Sequence, residues 1–308
     1  MTRAVVFAYH NVGVRCLRTL LDQGVDVALV LTHEDSPTET IWYDSVAQVC
    51  ADHGIEAITV DDPNAADVVE RIRTLAPDFV FSFYYRKMLG AALLSTPKRG
   101  ALNMHGSLLP KYRGRVPVNW AVLHGETETG ASLHYMEIEP DAGDLVAQTT
   151  VPILRDDTAF EVFQKVTVAA ELTLARALPQ LIAGTAPSVP LDLKSGSYFS
   201  GRKPEDGRIN WQQSAREVNN LVRAVAPPYP GAFCDNFGMR VVIARARIVA
   251  PTVPLAGNAG SIAHAGGGPG ILCGDGKLLE PLAIIVNEQT LNAEETRLWL
   301  GRQASVKQ

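Results

Sequence analysis

Cysteine is scarce in this sequence, and no two cysteines stand close enough to form a metal-binding or redox motif. The chain has 308 residues and four cysteines, which are Cys16, Cys50, Cys234 and Cys273. The missing Cys-x-x-Cys spacing removes the usual sequence signal for a zinc site or a thioredoxin-like site. We therefore expect four reduced, buried thiols in a cytoplasmic protein and no bound metal.

Long apolar runs and an excess of basic residues are also absent. No segment approaches the roughly 20 apolar residues of a membrane-spanning helix, and the run Ala4–Ala8 is too short for the core of a signal peptide. The chain carries 28 Lys and Arg against 33 Asp and Glu, a formal net charge of −5. Because nucleic-acid-binding proteins usually carry a basic excess, we expect no nucleic-acid partner and no insertion into a membrane.

The glycine fingerprint of dinucleotide-binding folds is missing as well, although the first half of the chain predicts a similar sheet. Short apolar segments alternate there with segments of helical periodicity, as in Ala4–Ala8 followed by residues 13–23. This alternation predicts a Rossmann-like, mostly parallel α/β sheet with helices on both faces. The first turn reads Tyr-His-Asn-Val-Gly over residues 9–13 instead of Gly-x-Gly-x-x-Gly, which disfavours NAD and FAD.

The composition changes after a long amphipathic helix that is predicted over residues 157–183. Residues 184–209 are rich in glycine, proline, serine and basic residues, which is typical of a linker. Short strands separated by glycine and proline follow, with a turn at the triple glycine 266–268, and they predict a smaller β-rich, OB-like domain. We therefore expect an α/β domain over residues 1–190 and an OB-like domain over residues 203–308.

Polar side chains near the predicted strand ends indicate a site. Asn103 and His105 lie two residues apart on the strand that follows Phe79–Phe83, so their side chains point to one face. Ligands of such sheets bind at the carboxyl ends of the strands. An imidazole titrates near neutral pH and an amide can donate a hydrogen bond to an oxyanion, which suits acyl or formyl transfer. A polar strand end that faces solvent is the alternative.

A loop with several carboxylates, Glu139–Asp144, joins the next two predicted strands. If this loop folds over the sheet, Asp141 would hydrogen-bond to His105, orient the ring and stabilise its charged form. An aspartate that only forms a turn is the alternative. Ser107 lacks the Gly-x-Ser-x-Gly surroundings of a nucleophile, so we expect its hydroxyl to be structural.

Two segments resemble the signatures of one enzyme family. The run Asn103–Gly114 resembles the signature of folate-dependent formyltransferases, and Asp141–Gly143 resembles the acidic loop of that family. Residues 206–211 and 222–233 resemble the second domain of methionyl-tRNA and sugar formyltransferases, so the resemblance covers nearly the whole chain. It implies a formyltransferase that uses 10-formyltetrahydrofolate as the formyl donor and needs no metal.

The resemblance also implies roles for individual residues. The catalytic residues would be Asn103, His105 and Asp141. Eight residues would line the donor site, the first three largely through main-chain groups: Lys87, Met88, Leu89, Arg115, Glu137, Ile138, Glu139 and Pro140. An acceptor with a diphosphate needs cationic or amide contacts. Four residues are candidates for contacts with the acceptor, with ordinary surface or packing roles as the alternative: Tyr9, His10, Arg113 and Arg202.

Several strings resemble the family members that act on UDP-4-amino-4-deoxy-L-arabinose in lipid A modification, among them Val5–His10, Phe81–Arg86 and Gly125–Gly130. The expected reaction is formyl transfer to the 4-amino group of this sugar nucleotide. The best-known enzyme of this kind is fused to a dehydrogenase-decarboxylase domain, whose activity we expect to reside elsewhere or to be absent.

Other acceptors and another class of protein stay open. A dTDP-linked 4-amino sugar is the nearest alternative. Methionyl-tRNA is disfavoured because residues 33–39 are short and acidic where tRNA-binding members carry a basic insertion. A non-catalytic nucleotide-binding module is disfavoured by the intact set of amide, imidazole and carboxylate. A homo-oligomer is compatible with every one of these alternatives.

Overall fold

The protein forms two compact units in a computed structural model, which describes residues 1–37, 40–236, 238–265 and 268–305. The first unit contains residues 1–117, 128–152 and 163–200. The second unit contains residues 118–127, 153–162 and the chain from residue 201 onward.

The first unit is built on a sheet of seven strands. The strands of this unit are β1 (Arg3–Ala8), β2 (Asp26–Thr32), β3 (Ala57–Thr59), β4 (Phe79–Phe83), β5 (Ala101–His105), β6 (Arg113–Gly114), β7 (Glu128–Tyr135), β8 (Leu145–Pro152) and β9 (Tyr198–Phe199). The sheet order is β3-β2-β1-β4-β5-β7-β8, parallel from β3 to β5 and antiparallel at β7 and β8. The strands β6 and β9 form a separate parallel pair. The predicted mostly parallel sheet is confirmed.

Local sequence sets the ends and the packing of the helices before residue 184. These are α1 (His10–Asp22), α2 (Val46–His53), α3 (Ala66–Leu75), α4 (Ala91–Leu94), α5 (Pro117–Leu123) and α6 (Ala159–Ala183). Ser45 caps α2 by accepting a hydrogen bond from the N–H of Gln48, and Gly54 ends that helix in a left-handed conformation. Gly13 lets α1 approach β1 closely, because a Cβ atom there would lie 3.2 Å from atoms of Ala8.

Apolar packing fixes the strands of the first unit. Phe7, Leu29 and Val80 are fully buried and belong to one core cluster with Ile72 of α3 and with Leu89. Burial of large apolar side chains contributes about 25 cal/mol per Å² of apolar surface. The carboxyl ends of β1, β4 and β5 are therefore held on a rigid base.

Helix α6 is long and apolar enough to cross a membrane, contrary to the expectation that no segment has this character. Its most apolar window has a mean hydropathy of 1.3, and half of that window is buried inside the protein. Glu171 of this helix accepts two 2.6 Å hydrogen bonds from Arg15, and Gln23 donates to the carbonyl of Ala175. Core helices of soluble proteins have the same length and composition, so α6 is weak evidence for a membrane span.

The second unit is rich in antiparallel β-structure, which confirms the predicted β-rich C-terminal part. Its further elements are α7 (Ala215–Ala224), β10 (Ala232–Asn236), β11 (Met239–Val249), β12 (Ile262–Ala265), β13 (Gly268–Leu272), β14 (Leu278–Val286), β15 (Gln289–Leu291) and α8 (Ala293–Ser305). The sheet order is β10-β11-β14-β13-β12, and β15 pairs with β14. Ser214 and Glu217 form a capping box at the start of α7.

Several features depart from the sequence-based expectations. The predicted linker 184–209 contains the strand β9, which has only two residues and therefore no readable periodicity. Of the predicted glycine turn, residues 266 and 267 lie outside the described residues, and Gly268 begins β13. The four cysteines, by contrast, are buried as expected. They are free of disulfide bonds, and burial raises the pKa of the Cys50 thiol to about 11.

Candidate active site

The antiparallel pairing of β5 with β7 gathers the first polar side chains of the site. Asn103 lies directly opposite His134, and His105 lies opposite Ser132. Residues two apart on a strand share a face of the sheet, as do directly opposed residues of neighbouring strands. Asn103, His105 and His134 therefore point to the same side, and both imidazoles are buried.

Asp141 completes this set from the loop between β7 and β8. Its backbone is left-handed, with φ of 54°, and its side chain is only 11% exposed. Oδ2 accepts a 2.8 Å hydrogen bond from the N–H of Gly114. Oδ1 lies 3.4 Å from each of three nitrogens: Asn103 Nδ2, His105 Nδ1 and His134 Nε2. The structure thus brings the three predicted catalytic residues together.

The charge state of Asp141 follows from these neighbours. Burial alone would raise the pKa of the carboxyl group. The charge of His105, the hydrogen bond and charge of His134 and the N–H of Gly114 act in the opposite direction and outweigh burial. The pKa of Asp141 therefore lies well below its ordinary value, so the group is a carboxylate at neutral pH.

His105 makes a different contact through each ring nitrogen. Nε2 lies 2.8 Å from the carbonyl oxygen of Tyr112. Because a carbonyl only accepts hydrogen bonds, Nε2 carries a proton in both charge states of the ring. Nδ1 faces Asp141 at 3.4 Å, which is longer than an ordinary hydrogen bond but within ion-pair distance. Nδ1 is therefore the nitrogen that can exchange a proton at the site.

His134 is a member of the site that the sequence-based prediction missed. Its Nδ1 lies 2.7 Å from the carbonyl oxygen of Tyr135, so Nδ1 carries a proton, and its Nε2 faces Asp141 Oδ1 at 3.4 Å. The amide nitrogen of Asn103 lies 3.2 Å from this Nε2. The signal that could have found His134 is the pairing register of β5 and β7, which single-sequence patterns do not fix.

The loop that follows β5 is strained where it contacts the site. Tyr112, Gly114 and Val116 have positive φ angles of 58°, 94° and 48°. Such a backbone costs about 1–3 kcal/mol at each non-glycine residue and persists only where the surroundings enforce it. The carbonyl of Tyr112 contacts the His105 imidazole, and the N–H of Gly114 donates to the Asp141 carboxylate.

The first half of this loop is held from the sheet. The hydroxyl of Ser107 donates a 2.6 Å hydrogen bond to the carbonyl of Lys111 and serves the loop structure. The hydroxyl oxygen of Ser132 accepts from the N–H of Leu109 at 3.1 Å, and Gln148 donates to the carbonyl of Leu109 at 2.8 Å. Side chains of β7 and β8 thus anchor this half.

The candidate donor-site residues that follow β4 are tied into the fold by their side chains. Lys87 donates to the carbonyls of Val60 and Asp61 at 2.7 and 2.6 Å. Leu89 is buried in the core, whereas Met88 is 59% exposed. The engaged side chains of Lys87 and Leu89 leave the main chain and Met88 as the parts of this segment that a ligand would meet.

The other donor-site candidates lie beside Asp141. In the loop Glu137–Pro140, Glu139 forms a 2.8 Å ion pair with Arg113, whose side chain is only 12% exposed. Ile138 is 73% exposed, and Arg115 is exposed on the neighbouring loop. Arg113, a candidate for acceptor binding, is therefore already partly neutralised by a candidate for donor binding.

Tyr9 and His10 lie in an aromatic cluster after β1. The hydroxyl oxygens of Tyr9 and Tyr43 are 2.6 Å apart, and the His10 ring packs on Tyr43 and Phe163 at centroid distances of 3.9 and 4.8 Å. Burial, assisted by the charge of Arg86, lowers the pKa of His10 to about 3. His10 is therefore neutral at pH 7, and any contact with a diphosphate would not be a charge contact.

Arg202 belongs to the second unit. Its guanidinium lies 4.8 Å above the Trp120 ring and donates a 2.9 Å hydrogen bond to the carbonyl of Asp206. Burial lowers the pKa of this guanidinium. An arginine remains charged in proteins, so Arg202 keeps the positive charge that suits a phosphate.

The chemistry of the site follows from its donors and acceptors. Within the described residues, no three His, Cys, Asp or Glu side chains are grouped so that they could hold a metal ion. The site instead combines an amide donor, an imidazole with a proton on Nε2 and a buried carboxylate. These groups are suited to acid–base catalysis and to stabilisation of an oxyanion, the chemistry of enzymes that transfer an acyl or formyl group.

Family models narrow this class. The formyl transferase model matches residues 4–178, which is more than half of the chain, and the model of the formyl transferase C-terminal domain matches residues 202–296. The chain therefore belongs to the formyl transferase family and is an enzyme.

Solved structures share the fold. An N-formyltransferase from Helicobacter canadensis, in complex with folinic acid and dTDP-3-aminofucose, has a TM-score of 0.70 and 21% identity over 91% of this chain and 98% of its own. A 4-N formyltransferase from Francisella tularensis has a TM-score of 0.65 and 20% identity over 79% of this chain and 96% of its own. A sugar N-formyltransferase from Shewanella sp FDAARGOS_354 has a TM-score of 0.63 and 20% identity over the same shares.

The buried, neutral His10 predicts how stability depends on pH. The folded protein keeps His10 neutral down to about pH 3, whereas the unfolded chain protonates it near pH ~6.5. The unfolded state therefore binds more protons at mildly acidic pH, and the free energy of unfolding falls as the pH drops below that value. Between pH 7.5 and pH 5.5, we expect the free energy of unfolding to fall by about 1 kcal/mol more in the wild type than in His10→Asn, whose amide does not titrate.

The measurement is urea unfolding of both proteins at both pH values. Asparagine tolerates the left-handed backbone of residue 10, so the substitution itself adds little strain. An identical pH dependence in the two proteins would contradict a neutral, buried His10.

Proposed function

We propose that the protein transfers the formyl group of 10-formyltetrahydrofolate to the 4-amino group of a nucleotide-linked sugar, UDP-4-amino-4-deoxy-L-arabinose. The observation that carries the proposal is the convergence of Asn103, His105 and His134 on one oxygen of Asp141. Formyl transfer to an amine needs a donor for an oxyanion, a group that moves a proton and a negative charge near the amine. The amide, the imidazole and the carboxylate supply these three requirements.

Two arguments support a sugar nucleotide as the acceptor. The strings Val5–His10 and Phe81–Arg86 resemble formyltransferases of the arabinose nucleotide. Among proteins of the same fold, the Helicobacter enzyme was solved with dTDP-3-aminofucose and folinic acid, and the Francisella enzyme is a 4-N formyltransferase. The dTDP ligand makes a dTDP-linked 4-amino sugar the second candidate.

The assignment of roles along the chain belongs to the same proposal. All proposed catalytic residues lie in the α/β domain expected over residues 1–190, and the enzyme would act on small molecules in the cytoplasm. The formal net charge of −5 supports a small acceptor over methionyl-tRNA.

The first step forms a bond between the sugar nitrogen and the formyl carbon. The free amine attacks this carbon, and the formyl oxygen becomes an oxyanion. Asn103 donates a hydrogen bond to that oxyanion after leaving its contacts with His134 and Asp141. Those contacts are 3.2 and 3.4 Å long, so their exchange for a bond to an anion is favourable.

The second step breaks the bond between the formyl carbon and N10 of the folate. His105, as an imidazolium beside Asp141, delivers the proton on Nδ1 to N10 as this bond breaks. The carboxylate accepts a hydrogen bond from the attacking nitrogen and stabilises its developing positive charge. The nitrogen then loses its proton to the neutral Nδ1 of His105, which leaves the formamide and tetrahydrofolate as products.

Removal of the imidazole or of the carboxylate charge should lower kcat while the fold persists. We expect His105→Ala and Asp141→Asn each to reduce kcat by about 100-fold to 1,000-fold, since each removes a group that acts in the transition state. Asp144→Asn is the matched control from the same loop, because the Asp144 carboxylate accepts a hydrogen bond from the Ser188 hydroxyl. Steady-state kinetics measure kcat, and circular dichroism checks that each variant is folded. Near wild-type turnover in either His105→Ala or Asp141→Asn would refute these roles.

The acceptor is tested by offering several amines to the wild type in parallel. Release of tetrahydrofolate is followed with 10-formyltetrahydrofolate and either UDP-4-amino-4-deoxy-L-arabinose, a dTDP-4-amino sugar or methionyl-tRNA. We expect the arabinose nucleotide to give the highest kcat/KM. An inert arabinose nucleotide beside a reactive second acceptor would overturn the substrate, and no turnover with any amine would overturn the enzymatic function.

A further inference from the structure

Strand β9 and Ser197, the residue before it, contact the loop after β5, residues 106–116, which we call the catalytic loop. The contacts lie in the part of this loop that holds the His105 imidazole and the Asp141 carboxylate. The N–H of Tyr112 donates a 2.9 Å hydrogen bond to the hydroxyl oxygen of Ser197, and the N–H of Arg113 donates to the carbonyl of Ser197 at 2.9 Å. Two residues further along both segments, the N–H of Arg115 donates to the carbonyl of Phe199 at 2.9 Å. Residues 197–199 thus accept hydrogen bonds from the backbone N–H groups of residues 112, 113 and 115.

Two packing contacts reinforce these hydrogen bonds. The rings of Tyr112 and Phe199 are stacked, with centroids 5.4 Å apart and planes 19° from parallel. Gly114 approaches so closely that a Cβ atom on it would lie 2.2 Å from the carbonyl oxygen of Phe199. Residue 114 must therefore be glycine for two reasons, its positive φ and this contact.

The two halves of the loop differ in what anchors them. The first half is held by Ser132 and Gln148, which belong to the large sheet, and its Pro110 carbonyl also accepts from the N–H of Ser197 at 3.3 Å. The second half is left-handed at residues 112, 114 and 116 and makes backbone hydrogen bonds with residues 197 and 199. This second half contacts His105 and Asp141 through the Tyr112 carbonyl and the Gly114 N–H. Residues 197–199 therefore help to determine where those two backbone groups lie.

We propose that Ser197 is a positioning residue for catalysis, which acts through Tyr112 on His105 and through the β6–β9 pairing on Asp141. The inference rests on the catalytic roles proposed above for these two residues. The Ser197 hydroxyl accepts a hydrogen bond from the N–H of Tyr112, the residue whose carbonyl contacts the imidazole. The Ser197 carbonyl holds the next peptide group, which contains that Tyr112 carbonyl, through the N–H of Arg113. Removal of the hydroxyl takes away this hydrogen bond of the Tyr112 N–H and allows the strained backbone to relax.

The test compares three variants of the full chain. We expect Ser197→Ala to lower kcat on the order of 10-fold with little change in either KM, because a displaced catalytic group impairs the transition state more than substrate binding. Ser197→Thr keeps a hydroxyl and should restore most of the loss. Ser195→Ala is the matched control, since the Ser195 hydroxyl donates to the carbonyl of Asp192, three residues before it in the chain.

A second readout does not depend on turnover. We expect the imidazole NMR signals of His105 and the amide signal of Gly114 to shift in Ser197→Ala and to stay in place in Ser195→Ala. If the wild type formylates no amine, the proposed function fails while these spectra still test the positioning. Unchanged signals in Ser197→Ala, or kinetics that match Ser195→Ala, would overturn the inference even in an active enzyme. A loss that Ser197→Thr does not repair, or that appears only in KM, would overturn it as well.

Discussion

The rest of the site depends on the contacts that the buried carboxylate of Asp141 makes with its neighbours. One oxygen is fixed by the N–H of Gly114 at 2.8 Å, and the other lies 3.4 Å from Asn103, His105 and His134. The short contact with Gly114 holds the carboxylate, and the three longer contacts are weak enough to be exchanged for contacts with reactants. A negative charge in this position costs desolvation, which its cationic and N–H neighbours outweigh.

The fold provides this arrangement through two separate devices. The register of β5 against β7 sets the amide and the two imidazoles on one face of a rigid sheet. A strained loop, bound by β9, then supplies a carbonyl to His105 and an N–H to Asp141. The sheet register alone would fix the ring orientations of His105 and His134 only loosely. The loop alone would lack the side chains that it contacts. The combination leaves Nδ1 of His105 as the ring nitrogen that faces the carboxylate.

The sequence allowed prediction of the sheet and of three residues that meet at its edge, for identifiable physical reasons. Buried strands of a parallel sheet are continuous apolar runs, and Asn103 and His105 share a face because they are two residues apart. The Asp141 loop was tied to His105 by its position between two predicted strands. His134 was missed because its place opposite Asn103 depends on strand register, which is a tertiary property.

The pair β6–β9 was missed for a similar reason, since two-residue strands have no period and Ser197 lies in a segment with the composition of a linker. The burial of His10, which lowers its pKa to about 3, was not visible in the sequence either. Local patterns thus indicated side chains that meet at one site, whereas the contacts that orient these side chains depend on residues far apart in the chain.

The charge of Asp141 is the central claim, and carbon-13 NMR of the aspartate carboxyl groups measures it directly. The Asp141 signal is assigned by its loss in Asp141→Asn, and its chemical shift is followed from pH 8 down to pH 3.5. A depressed pKa predicts that the signal stays at its carboxylate position over this whole range, whereas an aspartate of ordinary pKa, about 3.9, would be mostly protonated at the lower end. A titration of the Asp141 signal between pH 8 and pH 3.5 would contradict the account, because the carboxyl group would then lack the stabilisation of its charge that the account assigns to its neighbours.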